Sequence, residues 1–129
     1  VMTNQRYTDF ELSLEFMPDS SINSGVYIRC KEFEISAKDC FEINIWDLHP
    51  NQDHRPGAIV NRVVPLAKVE TIGRWNSYKI KAEKGHIQSW VNEGLTADAT
   101  YEELPDGFIS LQAMGTGEIR FRNVKLSPL

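Results

Sequence analysis

Residues 23–30, NSGVYIRC, and residues 40–47, CFEINIWD, decide how this chain is read. The first run is apolar and β-branched, the second alternates, and a polar stretch, KEFEISAKD, lies between them, which is the pattern of a β-hairpin. Side chains on a strand point alternately to its two faces. Strict alternation puts Val26, Ile28 and Cys30 on one side, with Phe41, Ile43 and Ile45 across the hairpin. The other side receives Tyr27 and Arg29 beside Glu42, Asn44 and Trp46. An arginine, a carboxylate, an amide and two aromatics on one sheet face make that face the candidate site. The plainer reading of Arg29 and Glu42 is a cross-strand ion pair, worth under about 1 kcal/mol.

The remaining segments follow the same period. Residues 7–17, YTDFELSLEFM, alternate cleanly, with Phe10, Leu12, Leu14 and Phe16 inward. Further strands are expected over 57–64, 75–82 (Tyr78 and Ile80 inward), 86–91, 108–112 (Ile109 and Leu111 inward) and 118–126. Residues 48–56, LHPNQDHRP, form a loop carrying His49, Asp53, His54 and Arg55, and 67–73 a connection with room for one helical turn. No segment sustains a helical period. Short strands separated by turn signals indicate an all-β sandwich or jelly roll.

At 129 residues with 41% hydrophobic and 25% charged side chains, the chain has the size and composition of one globular domain. A net charge of −4 and a pI near 5.4 argue against nucleic acid or an anionic membrane surface as partner. No apolar run approaches the roughly 18 residues that span a bilayer. The opening VMTNQRYTDF lacks the basic start and apolar core of a signal peptide. Cys30 and Cys40, at the facing ends of the hairpin strands, are either two buried thiols or a disulfide. A disulfide closing so short a loop would stabilise by about 2–3 kcal/mol and imply an oxidising compartment.

YTDFELSLEF, NSGVYIR, FEINIWD, GAIV, RWNSYKI, IQSWVN and GFISLQ with IRFRNVKL occur in that order over nearly the whole chain. Together they resemble the 3-keto-disaccharide hydrolase domain family of the concanavalin A-like lectin and glucanase superfamily. The resemblance implies a jelly roll of two antiparallel sheets, a carbohydrate ligand on the concave sheet, and an extracytoplasmic bacterial protein acting on 3-keto-glycosides. By position, Arg29 matches the arginine ending the family's GVYIR strand and Glu42 the glutamate of its YEVQI-like strand. Asn44 stands where a glutamine is usual, and Asp47 matches the following aspartate. Two departures are visible. The family carries more chain before the YTDF strand, so N-terminal strands are expected to be missing, which exposes a sheet edge suited to a homodimer. A histidine is usual after the LQ pair, where Ala113 and Met114 stand.

Ordinary glycoside hydrolysis needs two carboxyl groups about 5–9.5 Å apart. Glu42 and Asp47, on one extended strand, would be roughly 17 Å apart at ~3.3 Å per residue. A 3-keto sugar relaxes that need, because the ketone acidifies the neighbouring C–H and the anomeric group leaves by elimination. Glu42 as base and Arg29 on the enolate oxygen are the catalytic expectation, with a divalent metal as the alternative to Arg29. Tyr27, Asn44, Trp46, Asp47, His49, Trp90 and Gln112 are the expected substrate contacts, Trp46 and Trp90 as stacking platforms or as packing. A His49–Asp53–His54 metal cluster is a further option. A non-catalytic carbohydrate-binding module on the same scaffold is the competing reading.

Overall fold

The computed structural model describes residues 2–129. Eight strands form two antiparallel sheets: β1 (Phe10–Pro18), β2 (Asn23–Cys30), β3 (Phe41–Ile45), β4 (Asn76–Glu83), β5 (His86–Val91), β6 (Gly94–Thr100), β7 (Phe108–Met114) and β8 (Ile119–Pro128). The larger sheet runs β6-β5-β4-β1-β8 and the smaller β3-β2-β7. This is the expected concanavalin-like sandwich. Its core is the alternation made solid: Phe10, Leu12, Leu14 and Phe16 of β1 and Tyr78 and Ile80 of β4 face Val26, Ile28, Phe41, Ile43 and Ile45, all of them buried. Each such side chain contributes roughly 1.5–3 kcal/mol by leaving water. Tyr78 also crosses the core, and its hydroxyl donates to the Asn44 carbonyl of the smaller sheet at 2.9 Å.

Three segments differ from the sequence expectation. Residues 57–64 form bridges rather than a strand: Ile59 pairs with Ile43 and Val63, and Val60 N–H donates to the Glu42 carbonyl at 2.9 Å. Residues 67–73 contain no helical turn; the one helical turn among the described residues is the 3-10 segment Gln52–His54. β6 went unread because LTADAT offers small side chains instead of an apolar alternation, yet Thr96 and Ala97 are fully buried.

The correction that matters most lies at the end of β2. Its register with β7 slips between Tyr27 and Cys30, and Arg29 has a φ of 52°, the left-handed region that β-strands avoid. The slip inverts the alternation. Arg29 turns inward and is fully buried, its Nε and Nη2 donating to the Thr8 carbonyl at 3.2 and 2.6 Å and its Nη1 to the Lys84 carbonyl. Asp9 lies 3.4 Å away and also accepts the Lys84 N–H at 2.8 Å. One guanidinium thereby ties the smaller sheet to the entry of β1 and the β4–β5 turn. Gly107 makes the approach possible, since a Cβ there would come within 2.3 Å of the Cys30 carbonyl oxygen.

Cys30, expected beside Val26 and Ile28, instead shares the outer face with Tyr27. It forms a disulfide with Cys40, and Phe108, Met2 and Ile35 pack around the pair. At the far edge, β8 pairs only with β1 among the named strands, and carries Arg120, Arg122, Lys125 and a bulge at Asn123 (φ 53°). Charge and a bulge are what blunt a sheet edge.

Two stability outcomes follow from these ties. Arg29→Ala should cost about 3–5 kcal/mol in chemical denaturation, because it strands buried carbonyls and Asp9 together. Replacing both cysteines by alanine should cost about 2–3 kcal/mol, and dithiothreitol should reproduce that loss in the unaltered protein but not in the variant.

Candidate functional site

The outward face of the smaller sheet presents two rows across β3, β2 and β7. Register sets Glu42 opposite Tyr27 and Tyr27 opposite Ser110; one step along, Asn44 lies opposite Gly25 and Gly25 opposite Gln112. Gly25 leaves a dent in the second row. A side chain there would crowd the Ile43 carbonyl at 3.2 Å and the Tyr27 ring at 3.7 Å. The Tyr27 hydroxyl donates to Glu42 Oε2 at 2.9 Å, and Gln112 Nε2 donates to the Ser110 hydroxyl at 2.7 Å.

The loop after β3 folds back over this face. Its turn is stitched locally: Asn51 Oδ1 caps the 3-10 segment by accepting the Asp53 N–H at 3.0 Å, and Gln52 Nε2 donates to the carbonyls of Asp47 and His49 at 3.1 and 2.8 Å. Asn44 Nδ2 donates to the His54 carbonyl, fastening the loop to the sheet. Aromatic rings then run in sequence, His54 to His49 at 5.0 Å and His49 to Trp46 at 4.4 Å between centroids. A cavity of about 250 Å³ opens beside His54, bordered by Asp53 and Arg62.

The electrostatics single out Glu42. Burial raises its pKa above the ordinary carboxylate value, while the Tyr27 hydrogen bond and the charge of His54 pull the other way. Burial, and then Glu42 itself, push the Tyr27 phenol up, so it stays a donor. Burial and then His54 lower the His49 pKa, which keeps that imidazole neutral at pH 7. Its Nδ1 accepts the Asn51 N–H at 2.9 Å, which puts the His49 proton on Nε2.

Of the expected site residues, the structure brings together Glu42, Tyr27, Asn44, Trp46, His49 and Gln112. Three do not join them. Arg29 is turned inward by the bulge, so the expected Arg29–Glu42 pairing is not formed. Asp47 accepts from the backbone N–H of Thr71 at 2.6 Å and from its hydroxyl, a tie between two loops. Trp90 lies on the outer face of the other sheet, opposite Lys79 of β4. His54, read from sequence as a residue of the polar loop and a member of the possible metal cluster, sits close enough to act on Glu42; the signal was the short turn NQD, which returns the chain to β3. Among the described residues no three His, Cys, Asp or Glu side chains converge as metal ligands, so the His49–Asp53–His54 cluster is not formed.

Residues 1–127 match the family model of the 3-keto-alpha-glucoside-1,2-lyase-like domain. The chain belongs to that family. A candidate glycosyl hydrolase of Parabacteroides distasonis ATCC 8503 superimposes with a TM-score of 0.87 at 27% identity, over 99% of this chain and 82% of that one. A second from the same organism gives 0.85 at 18% identity, over 99% and 73%. The carbohydrate-binding module CBM66 of Bacillus subtilis shares the fold, with a TM-score of 0.64 at 13% identity over 96% of this chain and 78% of the other. No curated protein matches. Family and relatives make the chain's function carbohydrate-related, and among the described residues no helix is long and apolar enough to cross a membrane.

The Tyr27–Glu42 bond is testable on its own. Tyr27→Phe removes a contact that favours the carboxylate, so the Glu42 pKa should rise further, read as an upward shift of its side-chain carboxyl titration by carbon NMR.

Proposed function

We propose that this protein cleaves 3-keto-glycosides by proton abstraction next to the ketone, with Glu42 as the base. The observation that carries this reading is one carboxyl, half-buried and raised in pKa, held by a phenol and overlooked by two imidazoles. A raised pKa moves a carboxylate toward the range in which it accepts protons well. Glu42 takes the proton from the carbon between the ketone and the anomeric centre, and the C–H electrons pass into an enolate. Those electrons return as a carbon–carbon double bond while the anomeric C–O bond breaks and the aglycone departs with its pair. His54 is the group placed to supply the proton that the departing oxygen needs. Water then adds at the anomeric carbon and gives its proton to His54, while Glu42 hands its own proton back to the neighbouring carbon. With Arg29 committed elsewhere, hydrogen bonding to the enolate oxygen falls to His49 Nε2–H or Gln112. Trp46 supplies an apolar wall for the ring.

The Cys30–Cys40 disulfide supports an extracytoplasmic location, since such bonds persist in oxidising compartments. A second reading, saccharide binding without turnover, draws on the engagement of Arg29 within the fold and on Ala113 and Met114 at the position after Gln112.

A chromogenic 3-keto-glucoside beside the plain glucoside separates the two. Release from the keto substrate alone is expected, with Glu42→Gln slower by at least ~10²-fold and equally stable. The acid limb of kcat/KM should lie above the ordinary glutamate value of about 4.3, because the base works only when ionised and burial has raised its pKa. Retained turnover in Glu42→Gln removes that residue from the chemistry; saccharide binding with no release selects the binding module.

A further inference from the structure

A hollow of about 730 Å³ lies on the opposite side of the sandwich from Glu42, on the outer face of the five-stranded sheet. That volume is within the usual range for ligand sites. It arises from where small side chains fall. One row across the sheet reads Trp90, Lys79, Ser13, Lys125 from β5 to β8, and the next Ser77, Glu15, Arg122. Ser13 and Ser77 form a hydroxyl floor between tall neighbours, and the partly buried indole of Trp90 makes one wall, with the Lys79 ammonium 5.2 Å from its ring centre.

The far wall is set by the β8 bulge. Register slips there between Ser13 and Glu15, and Asn123 takes a left-handed φ of 53°. The bulge brings the Asn123 amide onto Glu15 Oε1 at 2.7 Å, while Arg122 holds Oε2 of the same carboxylate at 3.1 Å. Bulges are used to re-aim a side chain beside a site, and a fixed carboxylate–amide pair is a ready acceptor and donor.

The chemistry of the lining selects the occupant. The lining carries Lys79 and Lys125 against Glu15 and Glu93, so its formal charge is zero and it favours neither sign of ion. It also lies in mid-sheet, where every strand already has partners on both sides except at the β8 edge, so it has no free backbone for a peptide strand to pair with. An indole wall, a hydroxyl floor and a rim of donors and acceptors of both signs suit a neutral polyol with one apolar ring face. We propose that this groove is a second carbohydrate site, one that binds a neutral oligosaccharide without acting on it. It stands independently of the Glu42 chemistry, and either can fail alone.

Isothermal titration with maltotriose, cellotriose and laminaritriose tests it, using the protein, Trp90→Ala, Ser77→Tyr and Glu42→Gln, each checked for an unchanged thermal midpoint. At least one trisaccharide should bind the unaltered protein saturably. Both groove variants should weaken that binding at least tenfold, and Glu42→Gln should bind as the unaltered protein does. Ser77→Tyr fills an exposed floor position and keeps the test decisive should Trp90→Ala misfold. The proposal is overturned by absence of binding to all three sugars, by unchanged affinity in a folded groove variant, or by loss of affinity in Glu42→Gln.

Discussion

The buried guanidinium of Arg29 is the constraint on which the rest of this structure depends. A cation taken out of water is tolerated only where its donors are satisfied. Here they are met by the carbonyls of Thr8 and Lys84 and by Asp9, all belonging to the other sheet or its approaches. The bond set therefore fixes the separation of the two layers at one end of the sandwich, as the Tyr78 hydroxyl on the Asn44 carbonyl fixes it through the middle. To reach those partners, β2 bulges and Arg29 accepts a backbone conformation costing roughly 1 kcal/mol or more. The same bulge carries Cys30 outward to meet Cys40 beside Tyr27. Clamp, disulfide and tyrosine placement are one event in the chain.

Much of the fold was legible because burial writes itself as alternation. Phe10, Leu12, Leu14 and Phe16 announce β1, and Phe41, Ile43 and Ile45 announce β3. What was not legible is what breaks alternation. Nothing in VYIRC says that the register slips after Tyr27; the slip depends on partners some twenty and fifty-five residues away in sequence. A period-2 reading carried through a bulge must assign every later side chain to the wrong face, and it did so for Arg29 and Cys30. β6 was hidden for a different reason, since threonine and alanine fill its buried positions without the apolar contrast that marks a strand.

The candidate site divides along the same line. Tyr27, Glu42, Asn44 and Gln112 lie on the face that strict alternation assigns them, because regular ladder positions precede the slip or lie beyond its reach. Asp47 and Trp90 do not join them, since a sequence run cannot say that one aspartate will be spent on the Thr71 loop or that Trp90 belongs to the sheet facing the other way. His54 came to Glu42 through the compact turn at Asn51, a local feature with a non-local result. Family membership gives the carbohydrate theme, while the make-up of the candidate site depends on these individual placements.

The bridge between Cys30 and Cys40 lies against the ring of Tyr27, the residue whose phenol grips Glu42. The acidity of the carboxyl is thus mechanically answerable to a sulfur–sulfur bond three residues along the strand. Opening that bond would release the 31–39 segment, slacken the bed under the phenol, and let the carboxyl drift toward its protonated form. In such an arrangement, the surroundings that permit the bond to exist also tune the chemistry beside it.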